Sequence, residues 1–261
     1  MPVDYELRAE VAILTLNEPE RRNALSRELV VGLRRNLERS RADAARAVVI
    51  NSQGTAFCAG ANIDDLASGW MDSSDPDTDP TRLFGELARE PRITVAAVQG
   101  IAAGGGFELS LACDLVVAGP KAAFVCPELG HGVIPPTALA LLARTVGRRR
   151  ALDLILTRRK IEAQEAADLG LVNVTVDGDN VVEAAVELAR SIVRSTPPGA
   201  LAVAKRYFSE YQHVDWNRVL ESSAEVPKAE WQEGLESFAQ KRRPDYEPFW
   251  VAAAAAWETG R

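Results

Sequence analysis

Gly100-Ile101-Ala102-Ala103-Gly104-Gly105-Gly106-Phe107-Glu108 links a predicted strand, residues 93–98, to a predicted buried helix. Three adjacent glycines remove every Cβ from a short turn, so a small molecule can approach the bare backbone and the chain can adopt positive φ. The start of the following helix offers unpaired N–H groups and a partial positive charge. We therefore expect this turn to hold negative charge that develops on a ligand atom.

The glycine turn alone does not define a site, because triple glycine is also typical of flexible loops and tight helix–strand crossings. Its spacing fits neither G-x-G-x-x-G nor G-x-x-x-x-G-K-[ST], so a nucleotide loop is not indicated. A second turn, Ala59-Gly60-Ala61-Asn62, also follows a buried strand, consists of small residues and opens a predicted helix. If the two turns face each other, two main-chain N–H groups form an oxyanion hole, where each donor contributes roughly 10²–10³ in rate. Such a hole suits the carbonyl oxygen of a thioester.

Strands and helices alternate in the first half of the chain, and helices fill the last third. Strands are predicted over residues 11–16, 47–52, 93–98, 114–118, 122–125 and 171–174. Helices are predicted over residues 27–37, 62–66, 82–89, 139–146, 149–156, 163–169, 181–194, 198–211 and 216–241, with Ser26 and Asn62 as caps. This order predicts a layered α/β core over residues 1–197 and a helical region over residues 198–261.

Composition limits which binding partners and which cellular compartment can be expected for this chain. The chain has 261 residues and a net charge of −7, which allows one large domain and disfavours nucleic-acid binding. Cys58, Cys113 and Cys126 are odd in number and widely spaced, which predicts reduced core thiols and a cytoplasmic location. His131 and His213 are too far apart in sequence to suggest a zinc site, so no metal is expected. The sequence shows no signal peptide and no apolar stretch of membrane-span length, so no membrane association is expected.

Seven short motifs follow one another along the chain. They are NEPERRNAL (17–25), AFCAGANI (56–63), AVQGIAAGGGFE (97–108), CDL (113–115), PELG (127–130), AADLGLV (166–172) and FAQKR (238–242). Each is weak alone, but in this order and spacing the sequence strongly resembles the enoyl-CoA hydratase/isomerase family, the crotonase superfamily. The resemblance implies a crotonase-like α/β fold, a spiral of β-β-α units with a helical C-terminal region that serves in trimerisation.

The resemblance also implies the catalytic groups. It places the oxyanion donors at the main-chain N–H of Ala61 and Gly105, and the carboxylates of the hydratase branch at Glu108 and Glu128. Without it, Glu108 is a solvated or salt-bridged helix residue and Glu128 a surface carboxylate, although apolar neighbours argue against a solvated Glu108. Two carboxyl groups around one water can take a proton from that water and deliver one to Cα. We expect Glu128 to be the main acid/base and Glu108 to orient the water, with burial raising at least one pKa.

The ends of the substrate follow from the same resemblance. Coenzyme A is implied as a carrier on the substrate, with no separate cofactor, and a homotrimer or dimer of trimers is implied as the assembly. The residues implied for the CoA end are Arg21, Arg22, Ala24, Ala59, Phe238 and Lys241. The alternatives are a solvated basic pair for the two arginines and an ordinary amphipathic helix end for residues 238–242.

The acyl end is where the chain departs from its relatives. Trp70, Met71, His131 and Pro135 are expected to line the acyl pocket, with an ordinary loop role as the alternative for His131. Relatives usually carry a glycine-rich run where residues 132–138 read GVIPPTA, so the identity of the acyl group stays open. Arg158 stands where many relatives have glycine, which we interpret as a loop variation.

The favoured function is that of an enoyl-CoA hydratase, which adds water to a 2-enoyl-CoA. The alternatives are a Δ3-Δ2-enoyl-CoA isomerase, another acyl-CoA reaction of the superfamily, and a catalytically silent acyl-CoA-binding protein. The presence of both Glu108 and Glu128 favours the hydratase, because other branches of the superfamily replace one or both.

Overall fold

The computed structural model describes residues 2–70, 75–211, 215–221, 227–246 and 248–249. Met71, His213 and the end of the predicted helical region lie outside these residues. The strands are β1 Val3–Arg8, β2 Val11–Leu16, β3 Ala47–Ser52, β4 Ala56–Cys58, β5 Ile93–Val98, β6 Ile101–Ala103, β7 Leu115–Ala118, β8 Ala123–Val125, β9 Ile161–Glu162 and β10 Val174–Thr175.

The helices of the described residues connect and cover these strands. They are α1 Arg27–Ala42, α2 Ile63–Ala67, α3 Pro80–Ala88, α4 Gly105–Ala112, α5 Pro136–Val146, α6 Arg148–Thr157, α7 Ala163–Asp168, α8 Val181–Ser195, α9 Pro198–Tyr211, α10 Trp216–Glu221 and α11 Lys228–Ala239. Two short 3-10 helices, Pro19–Arg21 and Glu128–His131, lie in the connections.

The strands form two sheets whose order reveals a spiral. The larger sheet has the order β1-β2-β3-β5-β7-β10 and the smaller one β4-β6-β8-β9. Pairing is parallel except at β1–β2 and β8–β9. The successive pairs β3–β4, β5–β6 and β7–β8 each place their first strand in the larger sheet and their second in the smaller one. The predicted crotonase-like spiral of β-β-α units is therefore confirmed.

Two apolar clusters hold this arrangement together. Strands β2, β3 and β5 are buried almost throughout, as expected for parallel strands covered on both faces. Alternate residues of β2 divide between the clusters: Ala12 and Leu14 belong to the large core, while Val11 and Ile13 belong to the core that includes α8 residues. The larger sheet is thus packed between the interior of the spiral and α8.

The expected helix caps are confirmed. The Ser26 hydroxyl accepts a hydrogen bond from the Leu29 N–H at 3.1 Å at the start of α1. The Asn62 side chain accepts from the N–H groups of Asp64 and Asp65 at 2.9 and 3.3 Å at the start of α2. Each cap satisfies N–H groups that have no partner inside the first helical turn.

Three local predictions are wrong or incomplete. A single helix over residues 216–241 is not observed: α10 and α11 are separate, and Pro227, which lacks an N–H, precedes α11. The strand predicted over residues 171–174 occurs at Val174–Thr175, because the N–H groups of Leu171 and Val172 donate to the Ala166 carbonyl oxygen of α7 at 2.8 and 3.3 Å. Strand β1 was not predicted, although apolar Val3, Tyr5 and Leu7 alternate with charged residues, which is the signal of a strand with one covered face.

Candidate active site

The two small-residue turns lie against each other. They follow β4 and β6, which pair in parallel, so both turns emerge at the same edge of the smaller sheet. A Cβ placed on Gly105 would lie 4.0 Å from the Ala61 nitrogen, and one on Gly60 would lie 3.8 Å from the Gly104 Cα. Within the described residues, neither the Ala61 nor the Gly105 N–H donates a hydrogen bond to the protein. The structure thus brings together the two donors that the resemblance pairs.

Glycine is required where α4 crosses β4. A Cβ on Gly106 would lie 2.2 Å from the Cys58 carbonyl oxygen, a backbone atom that cannot move independently. Gly104, just before the helix, has φ of 53° and ψ of −124°, a conformation that favours glycine. The triple glycine therefore serves as a tight helix–strand crossing as well as a candidate ligand site.

A buried asparagine that sequence reasoning missed fixes the loop beside the Ala59–Asn62 turn. Asn23 is fully buried and has a positive φ of 53°. Its side chain accepts from the Glu18 N–H at 2.9 Å and donates to the carbonyl oxygens of Gln53 and Ala56 at 2.8 and 2.9 Å. Asparagine tolerates the left-handed region and can bond the backbone in both directions, which explains the residue type. Its position in the motif at residues 17–25 was the signal available from sequence.

Glu108 caps a helix other than its own. Its Oε1 accepts hydrogen bonds from the N–H groups of Thr137 and Ala138 at 2.7 and 3.0 Å, in the first turn of α5. Pro135, at the cap position of α5, offers no side-chain hydrogen bond. The Glu108 carboxylate therefore supplies the acceptor and the negative charge that a helix start favours. These contacts fix one of its oxygens in place, and Glu108 is only 6% exposed.

Glu128 lies against the glycine turn, at the start of the 3-10 helix Glu128–His131. A Cβ on Gly104 would lie 2.9 Å from Glu128 Oε1, so the carboxyl group contacts the bare backbone of the turn. Its Oε2 is buried, and no hydrogen-bond partner for it occurs among the residues described. Glu128 therefore has an oxygen free of protein partners, whereas Glu108 Oε1 is held by two N–H groups.

The two carboxyl groups influence each other's titration. Burial raises the pKa of Glu108, the charge of Glu128 raises it further, and the bonds from Ala138 and Thr137 partly oppose this. Burial also raises the pKa of Glu128, against a smaller opposing effect of its own N–H. Burial and then the charges of Glu128 and Glu108 raise the pKa of the Cys126 thiol, which places both carboxyl groups near that residue. Raised pKa values favour sharing of a proton between the two groups near neutral pH.

The described residues expected at the acyl pocket pack against other parts of the protein. Trp70 is 3% exposed and donates its Nε1–H to the Thr78 carbonyl oxygen at 3.1 Å. Pro135 is buried at the start of α5, and His131 packs edge-on against Phe238 with ring centroids 5.3 Å apart. Burial and the charge of Arg158 lower the pKa of His131. Their contact with an acyl group stays a prediction, and Met71 lies outside the described residues.

The residues expected at the CoA end form two groups. Arg21 and Arg22 are exposed beside the Ala59–Asn62 turn, because the Ala59 N–H donates to the Arg22 carbonyl oxygen at 3.1 Å. Ala24 of the same loop is partly buried. The second group lines a groove of about 280 Å³, formed by His131, Ser237, Phe238, Lys241, Arg242 and Pro244. Phe238 is 47% exposed there. Binding of CoA by either group stays a prediction.

The described residues contain neither a metal-ligand cluster nor a membrane-spanning helix. No group of three or more His, Cys, Asp or Glu side chains in this part of the chain is arranged to hold a metal ion. None of the helices described has both the length and the hydrophobicity of a membrane span. The three cysteines are buried free thiols, as expected.

Comparison with known proteins agrees with the geometry. The profile of the enoyl-CoA hydratase/isomerase family matches residues 6–248. The chain belongs to this family. A 2,3-dehydroadipyl-CoA hydratase of Escherichia coli K12 is 35% identical over 243 residues, which cover 90% of this chain and 94% of that protein.

Solved structures of the enoyl-CoA hydratase/isomerase family have the same fold. An enoyl-CoA hydratase/isomerase from Pseudoalteromonas atlantica T6c superposes with a TM-score of 0.84 at 31% identity, covering 94% of this chain and 99% of that one. A carnitinyl-CoA hydratase from Mycobacterium avium also gives 0.84 at 31% identity, covering 95% and 98%. The names of these relatives differ in the acyl group, so family membership leaves the acyl group open.

Proposed function

We propose that this protein is an acyl-CoA hydro-lyase that adds water across the double bond of a 2-enoyl-CoA thioester. The observation that carries the proposal is the pair of carboxyl groups, Glu108 and Glu128, gathered beside the Gly104–Gly105 turn with raised pKa values. Family membership and relatives named as CoA-thioester hydratases support it.

The thioester carbonyl would bind to the N–H groups of Ala61 and Gly105. As water adds to Cβ, negative charge develops on the carbonyl oxygen, and two donors that need not reorganise stabilise the enolate. The partial positive charge at the start of α4 acts on the same oxygen. Both donors lack protein partners within the described residues, which supports this role.

The carboxyl pair would move the protons. With one proton shared between them, the ionised group takes a proton from the water while the protonated group gives one to Cα, so the pair regains its starting charge. We assign the main acid/base role to Glu128, because its Oε2 has no protein partner in the described residues. Glu108, held at Oε1 by two N–H groups, would orient the water.

The remaining features of the proposal concern binding and assembly. Arg21 and Arg22 are suited to phosphate groups of CoA, since guanidinium groups bind phosphate through paired hydrogen bonds. Phe238 and Lys241 would contact the nucleotide. Assembly as a homotrimer or dimer of trimers and a cytoplasmic location belong to the same proposal.

Enzyme assays with a panel of enoyl-CoA esters test this function. The wild-type protein is expected to hydrate at least one ester, and Glu108→Gln, Glu128→Gln and the double variant are expected to lose at least about 10² in kcat while still binding acyl-CoA. Glu90→Gln is the matched control: Glu90 is also buried, but it pairs with Arg41 and Arg92 and should affect stability rather than turnover.

The product distinguishes the remaining functions. Migration of a 3-enoyl double bond without water addition would replace the hydratase by the isomerase. Tight acyl-CoA binding with no turnover in the wild type or any variant would indicate a binding protein and refute the proposal.

A further inference from the structure

Thr137 is a buried threonine next to the carboxyl pair. It is the second residue of α5, and its side chain is fully buried. Its Oγ1 has no hydrogen-bond partner among the described residues. A buried hydroxyl group without a hydrogen-bond partner lowers the stability of the folded protein by about 1–3 kcal/mol. The presence of threonine at this buried position therefore calls for a functional explanation.

The main chain of Thr137 is bound directly to Glu108. Its N–H donates to Glu108 Oε1 at 2.7 Å, so the hydroxyl is held one short side chain away from that carboxylate. Glu128, whose charge acts on Glu108, also has a buried oxygen without a partner, Oε2. Glu128 contacts Gly104, whose carbonyl oxygen accepts the Glu108 N–H at 3.0 Å. Two residues next to Glu108 thus each carry a buried polar atom without a partner among the described residues, one a hydroxyl group and the other a carboxyl oxygen.

We propose that the Thr137 hydroxyl is a positioning group that holds the reacting water together with Glu108 and Glu128. A buried water needs two to four polar partners, and the two glutamates and Thr137 supply three. A third fixed contact aims the lone pair of the water at Cβ of the thioester and reduces the freedom that must be lost in the transition state. The inference rests on the proposed hydration, because it assigns a role within that reaction.

The proposal predicts opposite effects on stability and on catalysis. Thr137→Val keeps the shape of the side chain and the N–H that binds Glu108, and removes only the hydroxyl. Since that hydroxyl has no protein partner to lose, the unfolding midpoint should stay the same or rise. The value of kcat should fall about tenfold to hundredfold with KM little changed, as expected for loss of one hydrogen bond that acts mainly in the transition state. Thr137→Ser, which restores the hydroxyl, should recover most of the lost activity.

Thr94 provides a matched control. It is also a fully buried threonine, but its hydroxyl donates to Asp114 Oδ2 at 2.8 Å and accepts from the Asp114 N–H at 2.9 Å. Thr94→Val should therefore lower the unfolding midpoint and leave kcat near the wild-type value, the reverse of Thr137→Val.

The experiment measures kcat, KM and the unfolding midpoint for wild type, Thr137→Val, Thr137→Ser and Thr94→Val, with the enoyl-CoA ester that the wild type hydrates best. A lowered midpoint in Thr137→Val with kcat within threefold of wild type would show a structural hydroxyl and overturn the inference, while leaving hydration itself intact. A serine variant as slow as the valine variant would also overturn it. A wild-type protein that hydrates no ester would overturn the proposed function and this inference with it.

Discussion

Gly105 allows the oxyanion donor to be removed with little damage to the helix that carries it. Gly105 is the first residue of α4, where the N–H has no partner inside the helix, and its φ is not positive. Proline is well accepted at the first helical position and lacks the N–H. Gly105→Pro should therefore delete one donor while α4 still forms.

Gly105→Ala is the control for the added Cβ. In both variants the new Cβ would lie 2.7 Å from Leu25 Cδ1, the far end of a flexible side chain, so the same adjustment of Leu25 is required. Only proline removes the N–H, because its ring Cδ takes the place of the amide hydrogen. From the usual value of one oxyanion donor, kcat/KM of Gly105→Pro should be about 10²–10³ below that of Gly105→Ala, or roughly 2.7–4 kcal/mol of transition-state stabilisation.

The assay follows the loss of ultraviolet absorbance of the conjugated thioester, and thermal unfolding of both variants checks the fold. Similar unfolding midpoints with a large difference in kcat/KM are expected. Two folded variants whose kcat/KM values agree within threefold would show that the Gly105 N–H does not stabilise the transition state, and the oxyanion-hole argument would fail.

Two further predictions concern charge and backbone strain. Folding raises the pKa of Glu128 above its ordinary value of 4.5. Its protonated form therefore contributes its full stabilisation below pH 4.5, and this stabilisation is lost as the pH rises through the raised pKa. Glu128→Gln should therefore unfold at the same temperature as wild type near pH 4.5 and at a higher one at pH 8; a difference that does not change with pH would contradict the pKa argument. Arg158 ends α6 with a φ of 57°, so Arg158→Gly should stabilise the protein by about 1 kcal/mol and raise the pKa of His131 in an NMR titration. Arg159→Gly, which breaks the ion pairs to Asp153 and Glu165 instead, should not stabilise, and a destabilised Arg158→Gly would refute the strain argument.

The layered fold and the small residues of the two turns could be predicted because both depend on local patterns, whereas the pairing of Ala61 with Gly105 followed only from the family resemblance. Apolar strands followed by small residues are visible in any window of the chain, and the caps at Ser26 and Asn62 lie beside the helices they begin. The order of the motifs then predicted the β-β-α spiral.

Contacts between distant segments could not be predicted in this way. Nothing near Glu108 indicates that its acceptor role is at the start of α5, since the donors Thr137 and Ala138 come from another β-β-α unit. Asn23 likewise bonds carbonyl groups of residues far along the chain. Such partners depend on how the spiral closes, which a pattern of neighbouring residues does not encode.

The cap that Glu108 provides for α5 restricts how this fold can acquire new chemistry. An aliphatic side chain at position 108 would leave the N–H groups of Thr137 and Ala138 without an acceptor, at about 1–3 kcal/mol each. Since proteins have only about 5–15 kcal/mol of net stability, a lineage that abandons this carboxylate must also rebuild the first turn of the neighbouring helix. Divergence of activity at this position is therefore tied to a second, compensating change almost thirty residues downstream.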